Sequence, residues 1–201
     1  MASIYELKPR FQALLRPLVK SLAAAGVTAN QVTLGAALLS LATGAAVYLS
    51  PTAPRVLLLV PLVLFLRMAL NAIDGMLARE HGQRTRLGAL LNELGDVVSD
   101  AGLYLPLAAV PGLDPRLVVL AVVLAIIGEM TGVVAIQIGA ERRYDGPMGK
   151  SDRAFWFGLM TLLLGLGATP GWWSATFLGL ITLLGVVTIL NRARRALSET
   201  T

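Results

Sequence analysis

The sequence predicts an all-α integral membrane protein: six transmembrane helices preceded by an N-terminal amphipathic interfacial helix, with both termini cytoplasmic. Three observations predict this. Of 201 residues, 56% are hydrophobic and only 14% are charged, more apolar surface than a soluble domain of this length normally carries. The apolar residues fall into long runs, the pattern of membrane-spanning helices. Lys and Arg gather in alternate connections, which fixes orientation by the positive-inside rule.

The predicted spans are residues 29–50, 55–79, 86–110, 115–140, 153–169 and 172–191. Lys8, Arg10, Arg16 and Lys20 precede the first. Arg79, Arg84 and Arg86 lie between spans two and three. Arg142, Arg143, Lys150 and Arg153 lie between four and five, and Arg192, Arg194 and Arg195 follow the last. The other side has only Arg55 and Arg116. A basic side attracts anionic headgroups, so the net charge of +5 implies no nucleic-acid partner. The chain has no cysteine, which excludes disulfides and thiolate chemistry.

Before the first span, Ile4, Leu7, Phe11, Leu14, Leu15, Leu18 and Leu22 follow the three-and-four spacing of one helix face, with Glu6, Lys8, Arg10, Gln12, Arg16 and Lys20 between them. Such a helix lies flat on the cytoplasmic leaflet or packs on the protein's own cytoplasmic surface. It is not a cleavable signal, because the first strongly apolar run begins near Val32. Gly26 to Asn30 breaks it, and Thr28 or Asn30 is a candidate cap for the first span. Pro51, Pro54, Pro111, Gly112, Pro115, Pro170 and Gly171 mark the outer turns. Trp172 and Trp173 stand where an interfacial aromatic anchor belongs. Span five is short and glycine-rich, suited to close helix packing. The organisation is a juxtamembrane helix over 1–27, a six-helix domain over 28–195 and a polar tail over 196–201, with no internal repeat.

Charge within an apolar segment is expensive and marks function by default. Arg67, Asn71, Asp74 and Ala78 are separated by four, three and four residues and share one face of the second span. Asn92, Asp96 and Asp100 do the same on the third. These spans run antiparallel around a short loop at His81 to Thr85. At about 1.5 Å per residue, Asp74 should match Asn92 near the cytoplasmic surface, Asn71 should match Asp96 a turn deeper, and Arg67 should match Asp100 below. The upper four offer oxygen ligands for a hard divalent cation such as Mg²⁺ or Mn²⁺. Arg67 and Asp100 read as a structural ion pair, since Arg67 otherwise lacks a partner. Glu129, at similar depth on span four, competes for Arg67, and either acid is an alternative ligand. Glu93 points about 100° from Asn92, toward a supporting or helix-contact role. Gly75, Gly88 and Gly95 permit close helix packing or close approach of a ligand. Arg79 is placed for a phosphate. His81 is a lone solvated loop residue.

At these residues the chain resembles the CDP-alcohol phosphotransferase (CDP-alcohol phosphatidyltransferase) family. The family motif is D-x-x-D-G-x-x-A-R-x8-G-x3-D-x3-D. Asp74-Gly75, Ala78-Arg79, Gly88 and Asp96 match it in identity and spacing, while Asn71 and Asn92 replace aspartates. The resemblance implies six spans, a homodimer, and two divalent metals held by four aspartates. It makes Asp74 a metal ligand, Asp96 both ligand and catalytic base, and Gly75, Ala78, Arg79 and Gly88 nucleotide-binding. Asn71 and Asn92 can ligate through amide oxygens but remove two negative charges, so a single tightly held ion is expected. Lys150 and Arg153, opening span five, are the candidate acceptor-binding residues; ordinary positive-inside charge accounts for Arg142 and Arg143.

The implied reaction transfers a phosphatidyl group from CDP-diacylglycerol to an alcohol acceptor with release of CMP, at the cytoplasmic face of the inner membrane if the source is bacterial. The alternatives are transfer of a CDP-linked small alcohol to diacylglycerol, or a non-catalytic lipid- or nucleotide-binding membrane protein. A transporter is disfavoured, because broken midplane helices and two related halves are not visible.

Overall fold

The structure, a computed structural model, describes residues 4–199, with side chains from residue 9 onward. Ile4, Glu6, Leu7 and Lys8 of the amphipathic face, and 200–201 of the polar tail, lie outside the described side chains. Among the described residues there is no strand. The helices are α1 (Ile4–Ala24), α2 (Ala29–Leu49), α3 (Leu59–Glu80), α4 (Arg86–Tyr104), α5 (Pro115–Val134), α6 (Lys150–Gly165) and α7 (Trp172–Glu199), with 3-10 turns at Pro54–Leu58, Leu105–Ala109 and Ala135–Ile138.

Local chemistry sets the helix ends. Thr28 caps α2 by accepting from the Gln31 amide, while the Gln31 side chain accepts from the Thr28 amide. This reciprocal pair satisfies two donors that an open helix end leaves free. Thr85 accepts from the Gly88 amide at 2.8 Å and starts α4. Asp114 caps α5 ahead of Pro115, whose missing N–H costs nothing at a first helical position. Pro106 cannot donate to the helical ladder, and α4 gives way there to a 3-10 turn.

Four segments are long and apolar enough to cross a membrane: Ala29–Leu49, Pro54–Glu80, Pro115–Ile138 and Trp172–Glu199. Two of the six expected spans do not meet that standard by themselves. α4 carries Arg86, Glu93, Asp96 and Asp100. α6 has 16 residues, about 24 Å at 1.5 Å per residue, against a hydrocarbon core of about 30 Å.

The packing shows what those two helices are for. α2 lies against α3 and α4, α5 against α7, and α6 against α3. α1 packs on α3, burying Val19 with Ile73, Met76 and Leu77, while Leu14 and Leu18 stay exposed. Arg16 pairs with Glu80 at 3.0 Å across that contact. The main core joins Val60 and Leu64 to Leu103, Leu107, Met160 and Leu178. Tyr104 of α4 and Phe157 of α6 stack at its centre, with ring centroids 4.1 Å apart. Outward, large apolar side chains such as Leu38, Phe65, Met130 and Leu183 are exposed. That arrangement is stable where lipid, rather than water, surrounds the bundle.

Candidate active site

One end of the bundle collects the basic connections, and there α3, α4 and the start of α6 converge. Below the rim lies a buried ion network. Arg67 Nη1 donates to Asp100 Oδ1 at 2.9 Å. Arg153 donates from Nε and Nη2 to Asp100 Oδ2 at 3.1 and 3.0 Å, and from Nη2 to Glu129 Oε1 at 3.0 Å. Glu129 also meets Arg142 at 3.2 Å and Arg192 at 3.4 Å. Arg142 in turn holds Glu93 with two bonds, at 2.6 and 2.5 Å. Four arginines thus face three carboxylates in one connected chain. Desolvation alone would make each of these charges very costly, and mutual pairing is what offsets it.

This network settles several placements. Glu129 binds Arg153, Arg142 and Arg192; the bonds of Arg67 go to Asp100. Glu93 is a helix contact to the loop after α5. Arg153, an expected neighbour of the acceptor, is only 3% exposed, and its guanidinium also donates to the Met148 carbonyl at 3.2 Å. A guanidinium engaged by two carboxylates and a carbonyl has no free edge to offer a soluble acceptor.

Above the network the polar side chains are sparsely partnered. Asp74 is buried, 7% exposed, and accepts from the Thr33 hydroxyl of α2 at 2.8 Å. Among the described residues no lysine or arginine forms an ion pair with it; Lys150 and Asp96 act on it only through longer-range electrostatics. Asp96 is 27% exposed and pairs with the Lys150 ammonium. Arg67 Nη2 stands 4.0 Å from the same Asp96 oxygen, close enough for attraction and too far for a hydrogen bond.

Two clefts open on this layer. The first, of about 300 Å³, lies where α2, α3 and α4 meet, and its lining includes Asp74, Gly75, Ala78, Arg79, Gly88 and Asn92. Asn30, Thr33, Gln83 and Arg84 complete its wall. A Cβ on Gly88 would stand 2.7 Å from Asn30 Oδ1, so the glycine there serves a close approach. The second cleft, of about 650 Å³, runs between α3 and α6. Arg67, Asn71, Asp100, Lys150 and Ser151 sit among its lining, and Leu64, Phe65, Met68, Phe155 and Leu162 make the rest apolar. Asn71 thus lines the second cleft and Asp74 and Asn92 the first, with the Asp96–Lys150 pair joining α4 to the start of α6.

The α2 contribution was not singled out from the sequence. Thr33 and Asn30 sit on an apolar helix with no motif of their own. The one available signal was that a buried Asp74 would need a donor from some neighbouring helix.

The donor set is two carboxylates and two amides, all hard oxygen ligands. Among the described residues no group of three or more His, Cys, Asp or Glu side chains is gathered to hold a metal. Asp74, buried with a hydroxyl but no cation beside it, fits a divalent ion. Asp96, already paired, adds little further demand.

Residues 26–193 match the family described as CDP-alcohol phosphatidyltransferase. The chain is 47% identical over 197 residues to "Inner membrane protein YnbA" of Escherichia coli K12, covering 97% of this chain and 96% of that one. It is 30% identical over 103 residues to "Archaetidylinositol phosphate synthase" of Pyrococcus horikoshii, about half of each chain. Among solved structures, phosphatidylinositol phosphate synthase of Mycobacterium tuberculosis with CDP-DAG bound superposes with a TM-score of 0.76 at 20% identity, covering 90% of this chain and 92% of that one. The same enzyme in complex with manganese and citrate gives 0.77 at 20% identity over 90% and 88%. At that identity the likeness shows the fold.

Proposed function

The chain belongs to the CDP-alcohol phosphatidyltransferase family, and on that premise we propose that it transfers a phosphatidyl group from CDP-diacylglycerol to an alcohol, releasing CMP. It is an integral membrane transferase of substituted phosphate groups and acts in phospholipid synthesis. The observation that carries the finer reading is the pairing of the two clefts. Gly75, Ala78, Arg79 and Gly88 line a small recess suited to a cytidine nucleotide. The larger apolar cleft, with Arg67 and Lys150 at its polar end, suits a lipid.

In this reading Arg79 holds a phosphate, and the glycines let the nucleotide lie close to the backbone. Asp74 and Asp96, with the amide oxygens of Asn71 and Asn92, would hold Mg²⁺ or Mn²⁺. When bound, such an ion would neutralise charge on the donor's diphosphate as CMP leaves. Asp96 accepts the proton of the acceptor hydroxyl as it attacks. Lys150, a third exposed and at the mouth of α6, meets the acceptor, and Arg153 supports it from below. The catalytic unit is residues 28–195, with α4 and α6 completing a six-span homodimer whose basic end faces the cytoplasm. α1 lies along the same surface, where a soluble and a lipid substrate can meet.

The test is incubation of the purified protein with CDP-diacylglycerol, Mg²⁺ or Mn²⁺ and a panel of alcohols. CMP release with a new phospholipid identified by mass supports the reading. CMP release only from a CDP-linked small alcohol with diacylglycerol reverses donor and acceptor. No release across both panels leaves a binding protein.

A further inference from the structure

The rim layer holds more fixed positive charge than a site built only to attract metal ions would need. Asp74 and Asp96 are its two carboxylates, and Asn71 and Asn92 contribute none. The Lys150 ammonium sits on Asp96, and Arg67 Nη2 faces the same carboxylate from 4.0 Å. Arg67 is 3% exposed, and its Nε and Nη2 are buried without a hydrogen-bond partner. A buried, unpaired guanidinium edge is costly unless a ligand completes it. Arg67 and Lys150 both line the large cleft, beside Asn71.

Counting charge decides what the layer can hold. Lys150 cancels Asp96, which leaves Asp74 as the one carboxylate without a cation beside it. One uncancelled carboxylate cannot keep two divalent ions close to one another, because their repulsion is then unscreened by ligand charge. A phosphoanhydride still carries more negative charge than one divalent ion neutralises. The unpaired edge of Arg67 and the Lys150 ammonium are the remaining cations at hand.

We propose that Lys150 and Arg67 form a fixed cationic half of the phosphate site, taking the role that a second divalent ion would otherwise fill. The layer then binds one ion, through Asp74, and grips phosphoryl oxygens with two side chains that do not dissociate. Lys150 is accessible to ligand; its ammonium keeps one donor on Asp96 and turns the others to a phosphate oxygen. Arg67 keeps Nη1 on Asp100 and offers Nε and Nη2. The inference rests on the phosphate-transfer reading above, but its test does not require turnover.

Mn²⁺ is titrated into purified protein and free ion is followed by electron paramagnetic resonance. CDP binding is measured separately by calorimetry in EDTA. The wild-type protein should bind one Mn²⁺ per chain and retain CDP binding without metal. Lys150→Met should tighten Mn²⁺ binding about tenfold, since Asp96 loses its competing cation, and weaken metal-free CDP binding about tenfold. Lys150→Arg should restore both toward wild type, which a merely structural lysine would not require. Lys150 is outside the apolar core, so these variants should elute as the wild type does. If Lys150→Met fails to do so, Lys150→Gln repeats both titrations. Two Mn²⁺ per wild-type chain, or unchanged Mn²⁺ affinity on loss of the ammonium, overturns the proposal. Failure to release CMP from any donor overturns the transferase reading instead and leaves the ion count intact.

Discussion

Two tiers of carboxylates occupy neighbouring helical turns and are partnered in opposite ways. In the lower tier, Asp100 takes bonds from Arg67 and Arg153, and Glu129 meets Arg153, Arg142 and Arg192. In the upper tier, Asp74 has the Thr33 hydroxyl and Asp96 has Lys150. The residue types are the same and the depth differs by about a turn. The lower tier leaves neither carboxylate without an arginine, because the apolar stack of Tyr104 on Phe157 lies beneath it. The upper tier opens on two clefts, where ligands and ions complete what the protein leaves unmade. Saturation marks structure, and incompleteness marks the site.

The largest expected effect tests the incomplete tier. Asp96→Asn keeps shape and removes one charge. CMP release should fall by roughly 10²–10⁴-fold, the usual contribution of a general base, while the unfolding midpoint in detergent changes little. Retained turnover removes Asp96 as base and erases the functional half of the contrast.

Asp100→Asn tests the saturated tier and should do the reverse. It leaves Arg67 and Arg153 buried opposite an amide, and breaking a buried pair from one side costs about 3–5 kcal/mol. The measurement is the shift of the denaturant midpoint in detergent. A loss under about 1 kcal/mol, comparable to an exposed pair, would show that the network is looser than its bond lengths imply.

The two tiers differ also in how far they could be read from sequence. The three-and-four spacing of Arg67, Asn71 and Asp74, and of Asn92, Asp96 and Asp100, follows from helix geometry alone, so the polar faces of α3 and α4 were legible. Each helix of that pair carries its own signal. Glu129 of α5 and Arg153 of α6 were picked out as candidates, but their pairing was not legible, because nothing local to Arg153 says that it turns inward to Asp100 and Glu129. Its position among loop arginines resembles ordinary positive-inside charge, and only tertiary packing distinguishes it. Thr33 was hidden for a similar reason: a threonine in an apolar helix is unremarkable until Asp74 lies across from it. α4 and α6 belong to the helical bundle, but they carry charge or fall short because neighbouring helices enclose their polar faces.

The smallest effect concerns an ion cluster outside both tiers, in the loop after α5. Asp145 accepts from Arg143 at 2.8 Å and from Arg195 of α7 at 2.8 Å. The Arg143 guanidinium beside it holds its carboxyl below the usual carboxylate range. Because the native state binds that proton less readily than the unfolded chain, the contribution is fully present above the ordinary aspartate value of about 3.9. It is lost as pH falls through the lower native value. The pair is near water and screened by salt, so the consequence should be local: faster hydrogen exchange in residues 139–149 at low pH, after correction for the intrinsic rate, with the core unaffected. Asp145→Asn should show the loosened loop at neutral pH and no further acid step. If the same acidification instead loosened α3 and α4, the loop cluster and the buried network would be one cooperative unit. The contrast would then lie between the rim carboxylates and everything else charged in the bundle.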